Sequence, residues 1–195
     1  LGLPKGNLAA CWEVIENGVA KGVDLFEAGD GIFVQIAGVG FDAQIIEETT
    51  WESKKKFGPL SYLLSAFSVA GQDAPRLRVF AEGHEPLGGA FVLIGNGALY
   101  GPAFKVFRNA SNDDGMLEVL VFENQSHIDL FRYLSGMAIG KVENMKDVTY
   151  VCTPTLRVEC DSPVPVEVDG ELAGTTPVEF KPLPEKLVVM TPPYR

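Results

Sequence analysis

The chain has 195 residues, 46% apolar and 10% aromatic, a composition typical of one globular domain. Its formal net charge is −10, from 16 basic and 26 acidic residues, which argues against nucleic-acid partners. The apolar runs are shorter than the ~20 residues of a membrane span. Three cysteines without a Cys-x-x-Cys pair argue against a disulfide scaffold or a zinc ribbon and favour a cytoplasmic location. Because the first residue is Leu rather than Met, we expect the chain to be part of a longer polypeptide.

The first half of the chain mixes helix and strand signals. Asn7–Asn17 predicts a helix. Its apolar stripe comprises Leu8, Cys11, Trp12 and Ile15. Gly31–Ala37 predicts a buried strand, and Pro59–Ala70, apolar nearly all round, predicts a buried or docked helix. Short apolar runs predict further strands at Arg76–Phe80 and Phe91–Ile94.

The second half is dominated by strands. One helix is predicted at Ser126–Gly140, which opens with a Ser-x-x-Asp capping signal and repeats Leu130, Leu134 and Met137. The predicted strands are Leu117–Phe122, Leu156–Cys160, Val164–Val168, Val178–Phe180 and Leu187–Met190. The sequence therefore predicts a mainly β (α+β) fold, an antiparallel β-sandwich-like domain with a few flanking helices. We expect residues 1–22 to form a helical lead-in and residues 23–195 to form the β-rich domain.

A glycine-rich motif follows the first predicted strand. Gly38–Ala43 has the G-x-G-x-x-A spacing of a dinucleotide-binding loop. That loop requires a helix directly after it and a second parallel strand, and neither is predicted here. The glycines are instead expected to permit a turn with positive φ that presents Asp42 at a strand end.

Two Asp-Gly pairs lie beside strand-rich segments, Asn112–Leu117 and Glu167–Glu171. Asp-Gly is favoured in tight hairpin turns, which by itself accounts for both pairs. Alternatively, Asp114 together with turn carbonyls could bind Mg²⁺ or Ca²⁺. Glu171, just past the second turn, could act as a general base on a rigid rim.

A basic segment with aromatic neighbours lies in the first half of the chain. Lys54–Lys56 is flanked by Trp51 and Phe57. Such a segment is consistent with an ordinary solvated face, and also with contact to a membrane surface or a phosphate.

The order of these segments resembles the bacterial soluble lipid kinases, the diacylglycerol kinase catalytic-domain family related to sphingosine and ceramide kinases. The motifs that carry the resemblance are Gly38–Ala43, Gly58–Tyr62, Asn96–Gly101, Asp114–Leu117 and Asp169–Glu171. The resemblance covers nearly the whole chain and corresponds to the C-terminal half of such a kinase. It implies the mainly antiparallel C-terminal domain of the diacylglycerol kinase and NAD kinase-like fold.

The resemblance also implies site residues. Glu171 corresponds to the family's proton acceptor in the ATP-dependent phosphorylation of a diacylglycerol-like lipid hydroxyl. A structural Mg²⁺ would be held by the Asp114 carboxylate and by the backbone carbonyls of Ser111 and Met116. Asp42 and Asn96 are assigned to substrate binding.

The same resemblance implies partners. ATP and the catalytic Mg²⁺ would bind an N-terminal domain with a Gly-Gly-Asp-Gly-Thr loop, which this chain lacks, so the isolated chain is expected to be inactive. The expected partners are that domain in the same polypeptide, the lipid substrate, the inner membrane face as a peripheral contact, and a second copy in a homodimer. Gly101–Ala103 and Phe107–Arg108 depart from the family pattern, which leaves the lipid open. The alternative is a non-catalytic β-sandwich module that binds a lipid or a protein.

Overall fold

The computed structural model describes residues 3, 6–48, 70, 73–100 and 104–193. The helices within these residues are α1 (Leu8–Asn17), α2 (Phe41–Glu48), α3 (His127–Ala138) and a short 3-10 helix (Val142–Asn144). The strands are β1 (Val19–Ala28), β2 (Gly31–Phe33), β3 (Ile36–Val39), β4 (Leu77–Ala81), β5 (Leu87–Gly89), β6 (Phe91–Gly95), β7 (Leu99–Tyr100), β8 (Phe104–Lys105), β9 (Leu117–Phe122), β10 (Val148–Thr153), β11 (Leu156–Glu159), β12 (Pro165–Val168), β13 (Glu171–Thr175) and β14 (Val178–Thr191).

The described strands form two six-stranded sheets and a small β7–β8 pair. The first sheet has the order β2-β1-β14-β11-β4-β5, and the second has the order β10-β9-β6-β3-β12-β13. Neighbouring strands in both sheets run antiparallel. The predicted fold class, an antiparallel β-sandwich-like domain with few helices, is confirmed.

The main hydrophobic core draws side chains from both sheets. Its largest buried members include Phe26, Phe33, Ile94, Leu117 and Phe180. A second apolar cluster joins the second sheet to α2 and α3, with the rings of Phe91 and Phe122 stacked 4.3 Å apart. Strands β6 and β9 are buried along their whole length because apolar clusters cover both of their faces.

Three of the predicted strands are divided differently in the structure. Gly31–Ala37 is not one strand but β2 and β3, which belong to different sheets. Val178–Phe180 and Leu187–Met190 belong to one strand, β14. β14 contains Pro182 and Pro184, and its register with β1 shifts in that region. Proline cannot donate a ladder hydrogen bond, so such an irregularity is where a strand tolerates it.

The predicted helices are present where the structure describes them. The Asn7 side chain caps α1 and the Ser126 side chain caps α3. The apolar stripe of α1 is exposed, with Leu8 at 88% and Trp12 at 60%, whereas Val14 is its buried residue. Residues 1–22 include α1 and the start of β1, and the proposed boundary at 22 stays a prediction.

One α-helix was not predicted. α2 begins at Phe41, directly after Gly40, so the expectation that no helix follows the glycine motif is wrong. Gly40 has the expected positive φ, +88°. The dinucleotide-binding interpretation still fails, because β3 pairs antiparallel with both β6 and β12.

The predicted helix Pro59–Ala70 lies outside the described residues, apart from Ala70, as do Trp51, Phe57 and Lys54–Lys56. Among the helices that the structure does describe, none has the length and apolar character needed to cross a membrane.

Candidate functional site

The β12–β13 hairpin turn is anchored to a distant part of the chain by one carboxylate. The turn consists of Asp169 and Gly170, both left-handed, with φ of +48° and +91°. Oδ2 of Asp169 accepts the Val34 amide hydrogen at 2.8 Å, and Oδ1 accepts those of Gln35 and Ile36 at 3.0 and 2.9 Å. Asp169 N also donates to the Ile36 carbonyl at 2.8 Å. The predicted Asp-Gly turn is therefore rigidly attached to the segment between β2 and β3.

Glu171, the predicted general base, lies at the start of β13 directly after this turn. Its side chain is exposed and lines an open cleft of about 420 Å³ together with Asp30, Ile32 and Leu172. In the described part of the chain its carboxylate has no hydrogen bond or ion pair. A general base has to reach the proton that it abstracts, and an exposed carboxylate is accessible to a substrate. The role of Glu171 as a base stays a prediction.

Beneath the same hairpin lies a pair of buried carboxyl groups, Asp42 of α2 and Glu167 of β12. Asp42 is 9% exposed and Glu167 is 1% exposed. Asp42 Oδ2 and Glu167 Oε1 lie 3.0 and 3.1 Å from the point that a Cβ on Gly38 would occupy, so only glycine leaves room for both. Glu167 Oε2 accepts the amide hydrogen of Gly170 at 2.9 Å.

Burial changes the acidity of this pair. Burial, and then the charge of Asp42, raise the pKa of Glu167 to about 9. Burial likewise raises the pKa of Asp42. The Tyr100 hydroxyl donates a short hydrogen bond to Asp42 Oδ1 at 2.5 Å, and burial beside that carboxyl holds the pKa of Tyr100 well above its ordinary value. At neutral pH the cluster therefore retains protons.

Asn96, predicted to bind substrate, is completely buried in the described structure. Its Nδ2 donates to the carbonyls of Asp24 and Val34 at 2.9 and 2.7 Å. Its backbone N donates to the Gln35 carbonyl at 3.0 Å. Asn96 thus joins β1 to the segment that holds Asp169. A direct contact of Asn96 or Asp42 with substrate stays a prediction.

The predicted metal-binding loop, Ser111–Met116, lies at another part of the domain surface. Asp114 is exposed, and its Oδ1 accepts the amide hydrogen of Met116 at 3.0 Å. The loop is held by Asp24, whose Oδ2 accepts the Gly115 amide hydrogen at 2.7 Å and whose amide donates to the Asn112 carbonyl at 2.8 Å.

The charges near this loop fit a hard cation. Lys21 forms an ion pair with Asp113 at 3.0 Å, and Lys186 forms one with Asp24 at 2.6 Å. Neither lysine forms an ion pair with Asp114 in the described structure. Glu118 is 4% exposed, and its Oε2 has no hydrogen-bond partner among the described residues. Burial, and then the charge of Asp114, raise the pKa of Glu118. Excess negative charge and hard oxygen donors are what Mg²⁺ or Ca²⁺ requires.

Side chains alone do not complete this site. Across the described chain there is no group of three or more His, Cys, Asp or Glu side chains that could hold a metal ion. Backbone carbonyls would therefore have to supply part of the coordination, as the prediction for Ser111 and Met116 requires.

Three residues of the site were not predicted: Asp24, Tyr100 and Glu167. In β12 the valines alternate, which placed Glu167 on the face expected to meet solvent. α2 covers that face. An acidic residue inside an apolar strand was the available signal for a buried carboxyl group.

Comparisons with known proteins agree with the fold. Residues 35–191 match the family model described as the YegS C-terminal NAD kinase beta sandwich-like domain. The diacylglycerol kinase of Mycobacterium tuberculosis (strain ATCC 25618 / H37Rv) is 26% identical over 98% of this chain and 64% of its own length. The probable lipid kinase YegS-like protein of Chromohalobacter salexigens is 30% identical over 88% of this chain and 55% of its own length.

Solved structures give the same result. One chain from Bacillus anthracis str. Sterne superposes with a TM-score of 0.71 at 25% identity, covering 93% of this chain and 59% of that one. A diacylglycerol kinase from the same organism superposes with a TM-score of 0.66 at 20% identity, covering 98% and 61%, which shows the fold alone. The chain thus spans about half to two thirds of the length of these relatives.

Proposed function

Because the chain belongs to the family of YegS C-terminal NAD kinase beta sandwich-like domains, we propose that it is the substrate-binding part of a lipid kinase. The proposed substrate is a lipid with a free hydroxyl, such as diacylglycerol, since relatives carry the names diacylglycerol kinase and lipid kinase. The observation that supports the proposal best is the placement of Glu171. It stands exposed beside an open cleft, directly after a turn that Asp169 fixes through three backbone amides.

In the proposed reaction the lipid hydroxyl oxygen attacks the γ-phosphorus of ATP. A new O–P bond forms, the bond between the γ-phosphorus and the bridging oxygen breaks, and ADP leaves with that oxygen. Glu171 accepts the hydroxyl proton. Phosphoryl transfer depends mainly on positioning and charge neutralisation, so a rigidly held base is a useful contribution.

The buried Glu167 is a poor alternative base. Its pKa of about 9 leaves it uncharged at neutral pH, and it is 1% exposed, so it does not reach a substrate hydroxyl. Of the two glutamates on the hairpin, Glu171 has both the access and the free carboxylate.

We further propose that the Ser111–Met116 loop binds a structural Mg²⁺ through the Asp114 carboxylate and the carbonyls of Ser111 and Met116. The bound ion would neutralise the local negative charge. The unpartnered Glu118 Oε2 and its proximity to Asp114 support this assignment.

The proposed partner is a nucleotide-binding domain of the same polypeptide, which supplies ATP and the catalytic Mg²⁺. The exposed apolar face of α1, formed by Leu8, Trp12 and Ile15, supports a docking role. A chain without that domain would transfer no phosphate. The cytoplasmic location, the peripheral membrane contact and the homodimer stay predictions.

The test is Glu171→Gln in the complete gene product, with γ-labelled ATP and a panel of diacylglycerol, sphingoid base, ceramide and phosphatidylglycerol. General-base assistance is worth about 10²–10⁴-fold, so turnover should fall by that factor while the KM for ATP stays unchanged. The matched control is Glu179→Gln, which removes an exposed strand carboxylate from the other sheet and should leave turnover intact. Near-normal turnover of Glu171→Gln would refute the assignment. A parent protein that phosphorylates none of these lipids would favour the non-catalytic binding module.

A further inference from the structure

The buried carboxyl groups of Asp42 and Glu167 contact each other without a compensating cation in the described part of the chain. Burial desolvates both groups, and each carboxyl group affects the pKa of the other. The titratable groups around Glu167 there are Asp42 from α2 and Asp169 from the turn, and Tyr100 from β7 interacts with both Asp42 and Glu167. Two adjacent buried carboxylates without a cation are strongly unfavourable, because neither is solvated and each repels the other.

A proton resolves this conflict. Glu167 Oε1 has no hydrogen-bond donor among the described residues, and the facing oxygen belongs to another carboxyl group. Two ionised carboxylates are both acceptors, so their contact becomes a hydrogen bond only when one of them is protonated.

We propose that Asp42 and Glu167 share one proton, and that this proton fastens the β12–β13 hairpin to α2 and so positions Glu171. Both residues are positioning residues. The consequence for turnover rests on the proposed function of Glu171, whereas the consequence for the hairpin does not.

The hydrogen-bond geometry connects the pair to Glu171. One oxygen of Glu167 faces Asp42, and the other accepts the amide hydrogen of Gly170, the residue before Glu171. Asp42 is held in turn by Tyr100, and α2 contacts both β12 and β13. Loss of the proton would place two negative charges side by side between α2 and the hairpin. Release of the hairpin from α2 would relieve that repulsion.

The sign of the pH effect follows from proton linkage. In the closed hairpin the pKa of Glu167 is about 9, whereas in an opened hairpin it returns toward its ordinary value of 4.5. Between these two values the closed form holds a proton that the open form has lost. Opening therefore becomes easier as pH rises, by up to about tenfold per pH unit, and levels off above about pH 9.

The experiment measures amide hydrogen exchange of residues 168–172 in the complete gene product from pH 6 to 10, corrected for the intrinsic exchange rate. In the parent, protection should fall by up to about tenfold per pH unit up to pH 9. Glu167→Gln keeps an acceptor for Gly170 and a donor for Asp42 without ionising, so its protection should not depend on pH. Asp42→Asn removes the like charge but leaves Glu167 buried, so the fall in protection should persist and level off at a lower pH than in the parent. If Glu167→Gln does not fold, Asp42→Asn decides the question.

Glu118→Gln is the matched control, since Glu118 is also a buried glutamate of the second sheet with a raised pKa but does not contact the hairpin turn. In Glu118→Gln the protection of residues 168–172 should fall with pH as steeply as in the parent. A flat parent profile, or an unchanged slope in Glu167→Gln, would overturn the proposal. Loss of the pH dependence of protection in Glu118→Gln would also overturn the proposal, because the opening would then involve the whole domain and not the hairpin alone.

Turnover provides a separate readout. In the parent, kcat should decline toward pH 9, and Glu167→Gln should remove that decline with an unchanged KM for ATP. If the gene product phosphorylates no lipid, the proposed function fails, and the hydrogen-exchange result still tests the shared proton.

Discussion

The two Asp-Gly loops of this domain share a dipeptide but are held in opposite ways. At Asp169-Gly170 the aspartate reaches out and accepts three amide hydrogens from residues 34–36. At Asp114-Gly115 a distant residue reaches in, because the Gly115 amide donates to Asp24 while Asp114 accepts only from Met116 in the described structure. Both carboxylate oxygens of Asp169 are occupied by backbone amides, whereas Asp114 accepts one such bond among the described residues and has an oxygen left for a ligand. Local sequence therefore does not decide which residue of such a turn is available for chemistry.

Asp169→Ala is expected to have the largest effect on stability. It removes an acceptor of three backbone hydrogen bonds and places alanine at a φ of +48°. Bonds to a charged acceptor contribute about 1.5–3 kcal/mol each when buried, but these are exposed and not additive, so we expect a loss of about 2–4 kcal/mol. Urea unfolding measures it. Asp114→Ala, without divalent ions, should cost less than about 1 kcal/mol, and equal losses would contradict the comparison.

The pH dependence of unfolding should follow Glu167. Its pKa is raised above the ordinary value of 4.5 to about 9 in the folded state, so its contribution to stability is complete below about pH 4.5 and is lost as pH rises toward 9. The loss approaches about 1.4 kcal/mol per pH unit. Denaturant unfolding at pH 6, 7 and 8 should show a smaller decline for Glu167→Gln than for the parent. Parallel declines would remove Glu167 as the cause.

Mg²⁺ should raise the thermal stability through the Asp114 loop and not through the Asp169 turn. A ligand that binds only the folded state at ten times its Kd stabilises it by about 1.4 kcal/mol. The parent should therefore melt at a higher temperature in Mg²⁺ than in chelator, and Asp114→Ala should lose that difference. Asp169→Asn should retain the difference in melting temperature, since Asp169 is not a proposed metal ligand. Identical melting curves with and without Mg²⁺ in the parent would argue against the metal site.

Glycine-to-alanine substitutions should have modest effects, and they compare the two turns directly. Gly115 and Gly170 have φ of +73° and +91°, and a Cβ on either would meet nothing within 4 Å. Gly115→Ala and Gly170→Ala should therefore each cost only the left-handed backbone penalty, about 1–2 kcal/mol. A much larger loss by thermal unfolding would reveal a contact that the turn geometry does not account for.

Much of the architecture was predictable because the signals are local. The caps at Asn7 and Ser126, the Asp-Gly turn at 169–170 and the alternation in β11 depend on neighbouring residues. Glu171 was predicted from the residues of its turn and from a family resemblance.

The missed features depend on tertiary structure. α2 has eight residues and a weak apolar face, so only its packing against β12 and β3 identifies it. Because α2 covers Glu167, a strand position that alternation assigns to solvent becomes one of the most buried sites. Asp24 lies at a register shift between β1 and β14, which strand propensity does not encode.

The pairing of β1 with β14 has a mechanical consequence. Val19 pairs with Thr191 at one end of this antiparallel ladder, and Ala28 pairs with Phe180 at the other. A force that separates residues 19 and 191 would load one rung at a time instead of shearing the whole ladder together. The sandwich should thus unzip from this end of the β1–β14 ladder at low force, while the hairpin that carries Glu171, in the other sheet, is still intact.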